Sequence, residues 1–533
     1  MSFLKANCPS CAAPIEFKSG STIVLVCPFC RSAVARTDRK LEDLGKVAEI
    51  VQSKSPLKLG LRGEYKGNKF ELTGRAQIKH EGGGFWDEWY ATFSNGWVGW
   101  LAEAQGNFYL TFFMPAPEGF QIPAYDQLTP GQKITGLTDT RLIVNEKGTA
   151  THIAADGEIP YQLTPNETNP YADLVGKGGV FATIDYGMNP PFIFYGSQVS
   201  LADIGLADKR SAEREGRSVS AEAMGCPKCG GTLELKAPDM SERVTCPYCN
   251  SLLNIEEGNL SYLRTLKPAK NQPEFVLEIG SKGSFDNFSD GIELEVIGAM
   301  ARSVTFDGIK YFWHEYLLYN PKVGFKWLVH SDNHWNFVET INMAEVEDSG
   351  YSGKMRTARF GGNSYKAFQS THAKVEYVKG EFYWRVEVGD KVLATDLVSP
   401  PFMLSEEKTD KETNWSLGTY LPVKEVEKAF GINHLPKPWN VAPNQPFEGG
   451  GLIKYGFLLL ALLTIIGIFM IPLSGLSSVP LNQEIVLKPL ARPNTGQIVF
   501  TQPFELKGNR NVRISGAAPV KNSWTELNID LIK

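Results

Sequence analysis

The sequence predicts a mainly β, multi-domain protein. It holds two cysteine-bearing ribbons, two β-rich barrel- or sandwich-like domains, one membrane-length helix and a short β segment at the C-terminus. Three observations carry this reading: all eight cysteines fall in Cys-x-x-Cys pairs, the first 430 residues read as a duplication, and one long run lacks any charge. The 533 residues correspond to about three or four folded units. With 30 Phe, 19 Tyr and 11 Trp, the chain has too many apolar anchors to be disordered. A net charge of −5 gives no general attraction to nucleic acid or anionic lipid.

The cysteines are Cys8, Cys11, Cys27 and Cys30, then Cys226, Cys229, Cys246 and Cys249. Their spacings, C-x2-C-x15-C-x2-C and C-x2-C-x16-C-x2-C, let each tight turn aim two sulfurs at one ion while a hairpin brings the second pair across. Four thiolates then close a tetrahedron around Zn2+, which predicts two structural zinc ions per chain. Pro9, Pro28, Pro227 and Pro247 each follow the first cysteine of a pair. Secreted disulfide scaffolds are short chains with other spacings, and Met1 to Ser10 has no secretory h-region. A closed four-cysteine site has no open coordination position, so the metals are not catalytic. Residues 1–46 carry seven Lys/Arg against four Asp/Glu, and residues 222–257 three against six. Phosphate neutralisation is therefore weak, and nucleic-acid sensing ranks below protein contact.

The duplication is visible in ordered landmarks. Trp86-Asp87-Glu88-Trp89-Tyr90 is answered by Trp313-His314-Glu315-Tyr316-Leu317, and Gly99-Trp100-Leu101 by Lys326-Trp327-Leu328. Asp185 with Pro190-Pro191-Phe192 is matched to Asp396 with Pro400-Pro401-Phe402. Ribbons are assigned to residues 1–36 and 225–256, and β-rich domains to 57–207 and 270–432. Short aromatic and β-branched runs bounded by glycine predict strands at 69–78, 85–93 and 108–114, with counterparts at 291–297, 311–319 and 374–388. Gly380-Glu381 reads as a hairpin turn within the last of these. Leu41, Leu44, Val47, Ala48 and Val51 form an amphipathic stripe that predicts a linker helix over 37–56. Residues 421–430 predict a second helix. Residues 208–224, charged and rich in small residues, form a linker.

Residues 433–452 are a Pro/Gly linker, followed by an apolar segment at 453–473. Residues 455–473 carry no charge, enough for the ~30 Å hydrocarbon core of a bilayer. Lys437 and Lys454 on one side nearly balance Lys488 and Arg492 on the other. Orientation therefore rests on the thiolates, which persist in reducing compartments. That places residues 1–453 in the cytoplasm and 474–533 outside. The tail reads as three strands, at 498–506, 511–515 and 524–532, a thin domain expected to be incomplete alone.

Glu88 and Glu315, each beside a tryptophan (Trp86, Trp313), are the candidate functional carboxylates. Burial among aromatics would raise their pKa and suit them to acid chemistry on a small polar substrate, although a structural carboxylate in a sheet is the simpler reading. Their discriminator is a polar cleft holding the Glu with a second polar group. Asp185 and Asp396 read as turn formers. His330 and His334 resemble a metal pair, but the first copy has no equivalent. Gly82-Gly83-Gly84 precedes no helix and is not a phosphate cradle. Trp86, Trp89, Trp97 and Trp100 read first as core and second as a ligand groove.

The Trp-x-Glu-Trp-Tyr block, the Gly-Trp-Leu and the leading Cys-Pro-x-Cys ribbon resemble the bacterial domain of unknown function 4178 family, twice over. The second copy departs at His314, Tyr316 and Lys326. The family has no established activity. The resemblance implies a bacterial inner-membrane setting linked to membrane-stress or polyamine gene sets. Together these readings predict a membrane-anchored cytoplasmic platform for protein partners.

Overall fold

A computed structural model describes residues 4–17, 22–36, 40–48, 50, 55–104, 106–161, 164, 166–206, 222–238, 240–256, 259–352, 355–447, 449–474, 478–488, 496–506, 511–521 and 524–533. The chain forms two compact units, Met1–Pro446 and Phe447–Lys533.

The first unit contains two closed eight-stranded antiparallel barrels. Barrel one is built from β1 (Asn68–His80), β2 (Phe85–Phe93), β3 (Val98–Ala104), β4 (Asn107–Met114), β5 (Leu142–Ile159), β6 (Thr168–Val175), β7 (Val180–Asp185) and β8 (Phe192–Val199). Two four-stranded meanders join through β4–β8 and close through β5–β1. Barrel two repeats this order with β9 (Glu293–Phe306), β10 (Ile309–Asn320), β11 (Gly324–Ser331), β12 (His334–Ile341), β13 (Asn363–Phe382), β14 (Lys391–Ser399), β15 (Phe402–Lys408) and β16 (Thr413–Leu421), closing through β13–β9.

Alternation along the strands sorts side chains into two environments. Trp86, Glu88, Trp100, Ala102, Asp173, Thr183 and Asp185 line the lumen of barrel one. The alternate positions Trp89, Ala91, Leu101 and Leu110 pack under residues 57–61 and 201–206, and Leu174, Ala182 and Ile184 under Leu128, Ile134 and Leu137. Barrel two is covered likewise, by Phe285 and by Val426 of the helix α1 (Val423–Phe430). Apolar clusters pack against the outer walls, and the lumens mix aromatic and aliphatic side chains with carboxylates.

Each ribbon is fused to its barrel by a ladder. Val24–Val26 pairs with the far end of β5, and Arg243–Thr245 with the far end of β13. The strands β5 and β13 thus serve barrel and ribbon together. At the junction Gly157 stands opposite Gly74, and Gly380 opposite Gly298. Gly157 has φ +71° and Gly380 φ +85°; a Cβ on either would lie 2.4 or 2.2 Å from a carbonyl oxygen of the facing strand. Only glycine tolerates both the backbone angle and the approach. The residue after each glycine secures the ribbon: Glu158 accepts from Thr22, and Glu381 accepts from Lys236 N (2.6 Å), Ala237 N (3.1 Å) and Ser241 Oγ (3.0 Å).

Several expectations change. Gly380-Glu381 is not a hairpin turn but lies inside the 20-residue strand β13. The helix expected over 37–56 is not formed: Leu41–Lys46 is a strand paired with Ser32–Arg36 of the ribbon. An open ribbon edge offers it hydrogen bonds, and Gly45 at φ +100° sits at a register shift that a helix would not accommodate. The Pro-Pro-Phe landmarks are not equivalent either: Asn189-Pro190, a cis bond, lies between β7 and β8, whereas cis Pro400-Pro401 lies between β14 and β15. The linker at 208–224 falls almost wholly outside the described residues. Helix α1 stands within the expected 421–430.

The barrels meet along β5 and the loops of barrel two. Ile143 packs with Met343, Val346 and Trp415, while Lys177–Glu347 (2.9 Å), Lys411–Glu81 (2.7 Å) and Gly178 N to Glu345 (2.7 Å) ring the contact.

In the second unit, helix α2 (Gly450–Ser474) follows the linker, and its stretch Gly450–Met470 is long and apolar enough to cross a membrane, with a mean hydropathy of 2.3. Its large apolar side chains from Leu452 to Met470 are exposed within the unit. The strands expected in the tail are not formed among its described residues, and Ile498, Phe500 and Trp524 are exposed. Isolated short strands without an apolar layer to cover do not hold a ladder in water.

Replacing Gly157 with Val tests the junction. Its melting midpoint should fall by several degrees more than that of Gly96→Ala, which keeps a positive φ (+90°) in open space and carries only the backbone strain of ~1–2 kcal/mol. Equal shifts would show that the crossing imposes no packing constraint.

Candidate functional sites

The eight cysteines gather as two sets of four. Within each set all four sulfurs lie within 4.8 Å of one another. Cys8–Cys30 and Cys11–Cys27 are 3.7 Å apart, Cys226–Cys249 3.8 Å and Cys229–Cys246 3.6 Å. A tetrahedron with metal–sulfur bonds of about 2.3 Å has edges of about 3.8 Å, whereas a disulfide would be about 2.0 Å. The residues fit zinc. Each knuckle is the same local structure, set by a hydrogen bond back to its first cysteine: Ala12 N to Cys8 O, Arg31 N to Cys27 O, Gly230 N to Cys226 O and Asn250 N to Cys246 O, all 2.8–2.9 Å. Those four residues all carry positive φ. Ser32 and Ser251 stand in equivalent places. Their backbone N–H groups, with the Ser251 hydroxyl 3.1 Å from the Cys249 sulfur, hold the Cys30 and Cys249 thiols below the usual thiol range, which favours the ligating thiolate.

The barrel lumens form the second kind of site. About 2840 Å3 of cavity is shared by the two lumens and the cleft between them, and both Glu88 and Glu315 line it, as do Trp86 and Trp313. The Trp–Glu pair is the same in each barrel: Trp86 Nε1 donates to Glu88 Oε1 (3.1 Å), and Trp313 Nε1 to Glu315 Oε1 (2.7 Å). Around these pairs the barrels differ. Arg302 in barrel two contacts Glu315 (3.1 Å) and Glu407 (2.5 Å) and lies over the Trp313 ring (5.7 Å). In barrel one the partner of Trp86 across the ladder is Ile78, where Trp313 faces Arg302.

Register also corrects the pairing of aspartates. Asp173 stands opposite Glu146 after a bulge and opposite Thr183, which donates to it at 2.7 Å. Asp396 stands opposite Gln369 after the same bulge and opposite Ser405, which donates at 2.6 Å. The counterpart of Asp396 is therefore Asp173, and that of Asp185 is Glu407. Sequence matching on Pro-Pro-Phe had aligned the wrong turns. Neither aspartate is merely a turn former, since both face the lumen; Asp185 does also accept from Gly187 N (2.8 Å).

Barrel one thus gathers Glu88, Glu146, Asp173 and Asp185. Glu146 is satisfied by His80 (3.1 Å) and Tyr171 OH (2.5 Å), which hold it below the usual carboxylate range against its burial. Burial, with the nearby Asp185 charge, pushes Glu88 up to about 7. Burial, with Glu146 and Glu88 nearby, pushes Asp173 up to about 8. Sequence reasoning missed Ile78, Arg302, Glu146, Asp173 and Glu407, because none sits in a repeated motif; only strand pairing reveals them.

The remaining candidates separate. Trp100 joins Trp86 at the cavity, Trp89 is in the wall with its Nε1 on Glu103 (3.2 Å), and Trp97 is exposed. His330 and His334 are not a metal pair: His334 is bonded by Tyr420 OH (3.0 Å) and Trp439 O (3.1 Å), and burial beside His314 pushes His330 down to about 4. Among the described residues the two cysteine sets are the clusters with metal-ligand geometry.

Elemental analysis of the full chain should give two zinc per chain. Cys27→Ser should lower this to one and expose ribbon one to protease while both barrels keep their melting transition; iron, or an unchanged count, would refute the assignment. Glu88→Gln tests the lumen. A carboxyl whose folded pKa is raised binds its proton more tightly in the folded state. The folded state therefore loses stability as pH rises from about 4.5 to about 7. The Gln variant should melt like the parent at pH 5 and higher at pH 8, by up to ~3 kcal/mol for a shift of this size. Equal melting at pH 8 would place Glu88 in free contact with water.

The model for a domain of unknown function, DUF4178, matches residues 58–201 and 288–423, one span over each barrel. No match to the chain was found among curated proteins or solved structures. With more than half of its length so matched, the chain belongs to the DUF4178 family, and carries the domain twice.

Proposed function

We propose that the chain is a single-pass membrane protein whose two zinc ribbons and paired barrels form a cytoplasmic platform for protein partners. The observation that carries this is the pair of aromatic knuckle tips. Phe29, between Cys27 and Cys30, is 65% exposed, and Tyr248, between Cys246 and Cys249, is 68% exposed. Both sit on turns pinned by four thiolates, and both ribbons are hydrogen-bonded into the barrel sheets. An exposed aromatic on a rigid support is a typical interface anchor, since little entropy is lost on contact. The length and apolarity of α2 support a membrane anchor, and the thiolate sites support a reducing, cytoplasmic side for residues 1–453. The family resemblance supports a bacterial inner membrane and a stress- or polyamine-linked setting.

A second reading, small-molecule chemistry at Glu88, is favoured by the cavity that holds it with Asp173 and Asp185. It does not extend to Glu315, whose charge is met internally by Arg302.

Cross-linking and pull-down from membranes compares the parent with Phe29→Ala/Tyr248→Ala. Specific partners should fall at least several-fold in the variant while zinc content stays at two. An unchanged partner set would overturn ribbon-mediated contact.

A further inference from the structure

Superimposing the two lumens by strand register places Trp86, Glu88 and Asp185 at the positions of Trp313, Glu315 and Glu407. In barrel two those three side chains hold a guanidinium, that of Arg302, with two carboxylate contacts and a ring face. In barrel one the arginine position belongs to Ile78, a shorter and apolar side chain. Among the described residues no lysine or arginine forms an ion pair with Glu88 or Asp185. Ile78, Trp86, Glu88 and Asp185 all border the same cavity, and so do Tyr161 and Tyr171, the latter with its ring 5.9 Å from that of Trp86.

We propose that barrel one binds a small organic cation, with a guanidinium or ammonium head, whose charged end takes the place that the Arg302 guanidinium takes in barrel two.

The chemistry follows from the duplicate. Two carboxylates and an indole face already hold such a head group elsewhere in this molecule, by charge-assisted hydrogen bonds and cation–π attraction. Tyr161 and Tyr171 add aromatic walls. An eight-stranded barrel has room for one small ligand. Burial raises the Glu88 carboxyl to about 7, so at pH 8 it is mostly ionised, and a bound cation would pair a desolvated carboxylate. The two barrels then divide one ancestral arrangement: one carries its cation covalently, on a strand, and the other takes it from solution.

The test uses the full chain in lipid nanodiscs at pH 8 and low salt. Calorimetric titration with n-butylguanidinium and with n-butylammonium should show saturable binding of one ligand per chain, and n-butylurea, neutral and of similar shape, should not bind. The ratio of the two affinities tells which head group the site prefers. Glu88→Gln should weaken binding at least tenfold, and Ile78→Arg, which installs an internal guanidinium, should abolish it. Glu315→Gln should leave it within twofold. Thermal melting checks that Ile78→Arg is folded; should it melt early, the isosteric Glu88→Gln alone decides. Absence of saturable binding for both cations, equal binding of the urea, or full affinity in Glu88→Gln would overturn the proposal.

Discussion

One crossing of two strands organises the first unit. At Gly74–Gly157, and again at Gly298–Gly380, two backbones approach more closely than a side chain allows. This lets a single strand leave the barrel wall and continue as the edge on which a ribbon pairs. A bulky residue there would force barrel and ribbon apart into modules joined by a tether. With glycine, the four-cysteine site, the ribbon ladder and the barrel become one hydrogen-bonded body. The buried Glu158 and Glu381, one residue on, then hold the ribbon with side-chain and backbone bonds. A metal held by the four cysteines, which would supply much of the folding free energy of a small ribbon, would thereby also fix the ribbon against a much larger domain.

The barrels bury apolar residues against their outer walls and set carboxylates among aromatics in their lumens. Arms and loops cover the outer walls, so the lumens are free to carry charge. Their charges have diverged. Barrel two pairs Glu315 and Glu407 with Arg302, while in barrel one burial pushes Glu88 and Asp173 up to about 7 and 8, and His80 and Tyr171 hold Glu146 below the usual range. A duplicated fold has kept its frame and changed the occupants of a few lumen positions, and sites on one frame can differ while the frame stays the same.

Much of the frame was legible from residues alone. Cys-x-x-Cys spacing is dictated by the reach of two sulfurs to one ion, so the ligand sets needed no tertiary knowledge. Alternating aromatics announced most barrel strands. Errors came where local patterns met long-range partners. The stripe from Leu41 to Val51 suits a helix, but the open ribbon edge captured it as a strand. Gly380 suits a turn, but there it permits a crossing. Pro-Pro-Phe repeats in the sequence, yet it sits in different turns of the two barrels. In the tail, strand-like runs had no layer to pair with.

The sequence by itself determined the two four-cysteine sets, the duplication, the β class and the membrane-length helix, because each depends on spacing or composition within a short window. Only the tertiary structure decided what the lumens contain. Ile78 and Arg302 are unremarkable in the chain, as are Asp173 and Glu407. Their meaning comes from strand register, which sets a residue from one meander across a lumen from a residue of the other. Register is a property of closed sheets, and no local pattern encodes which distant side chains will face each other inside one.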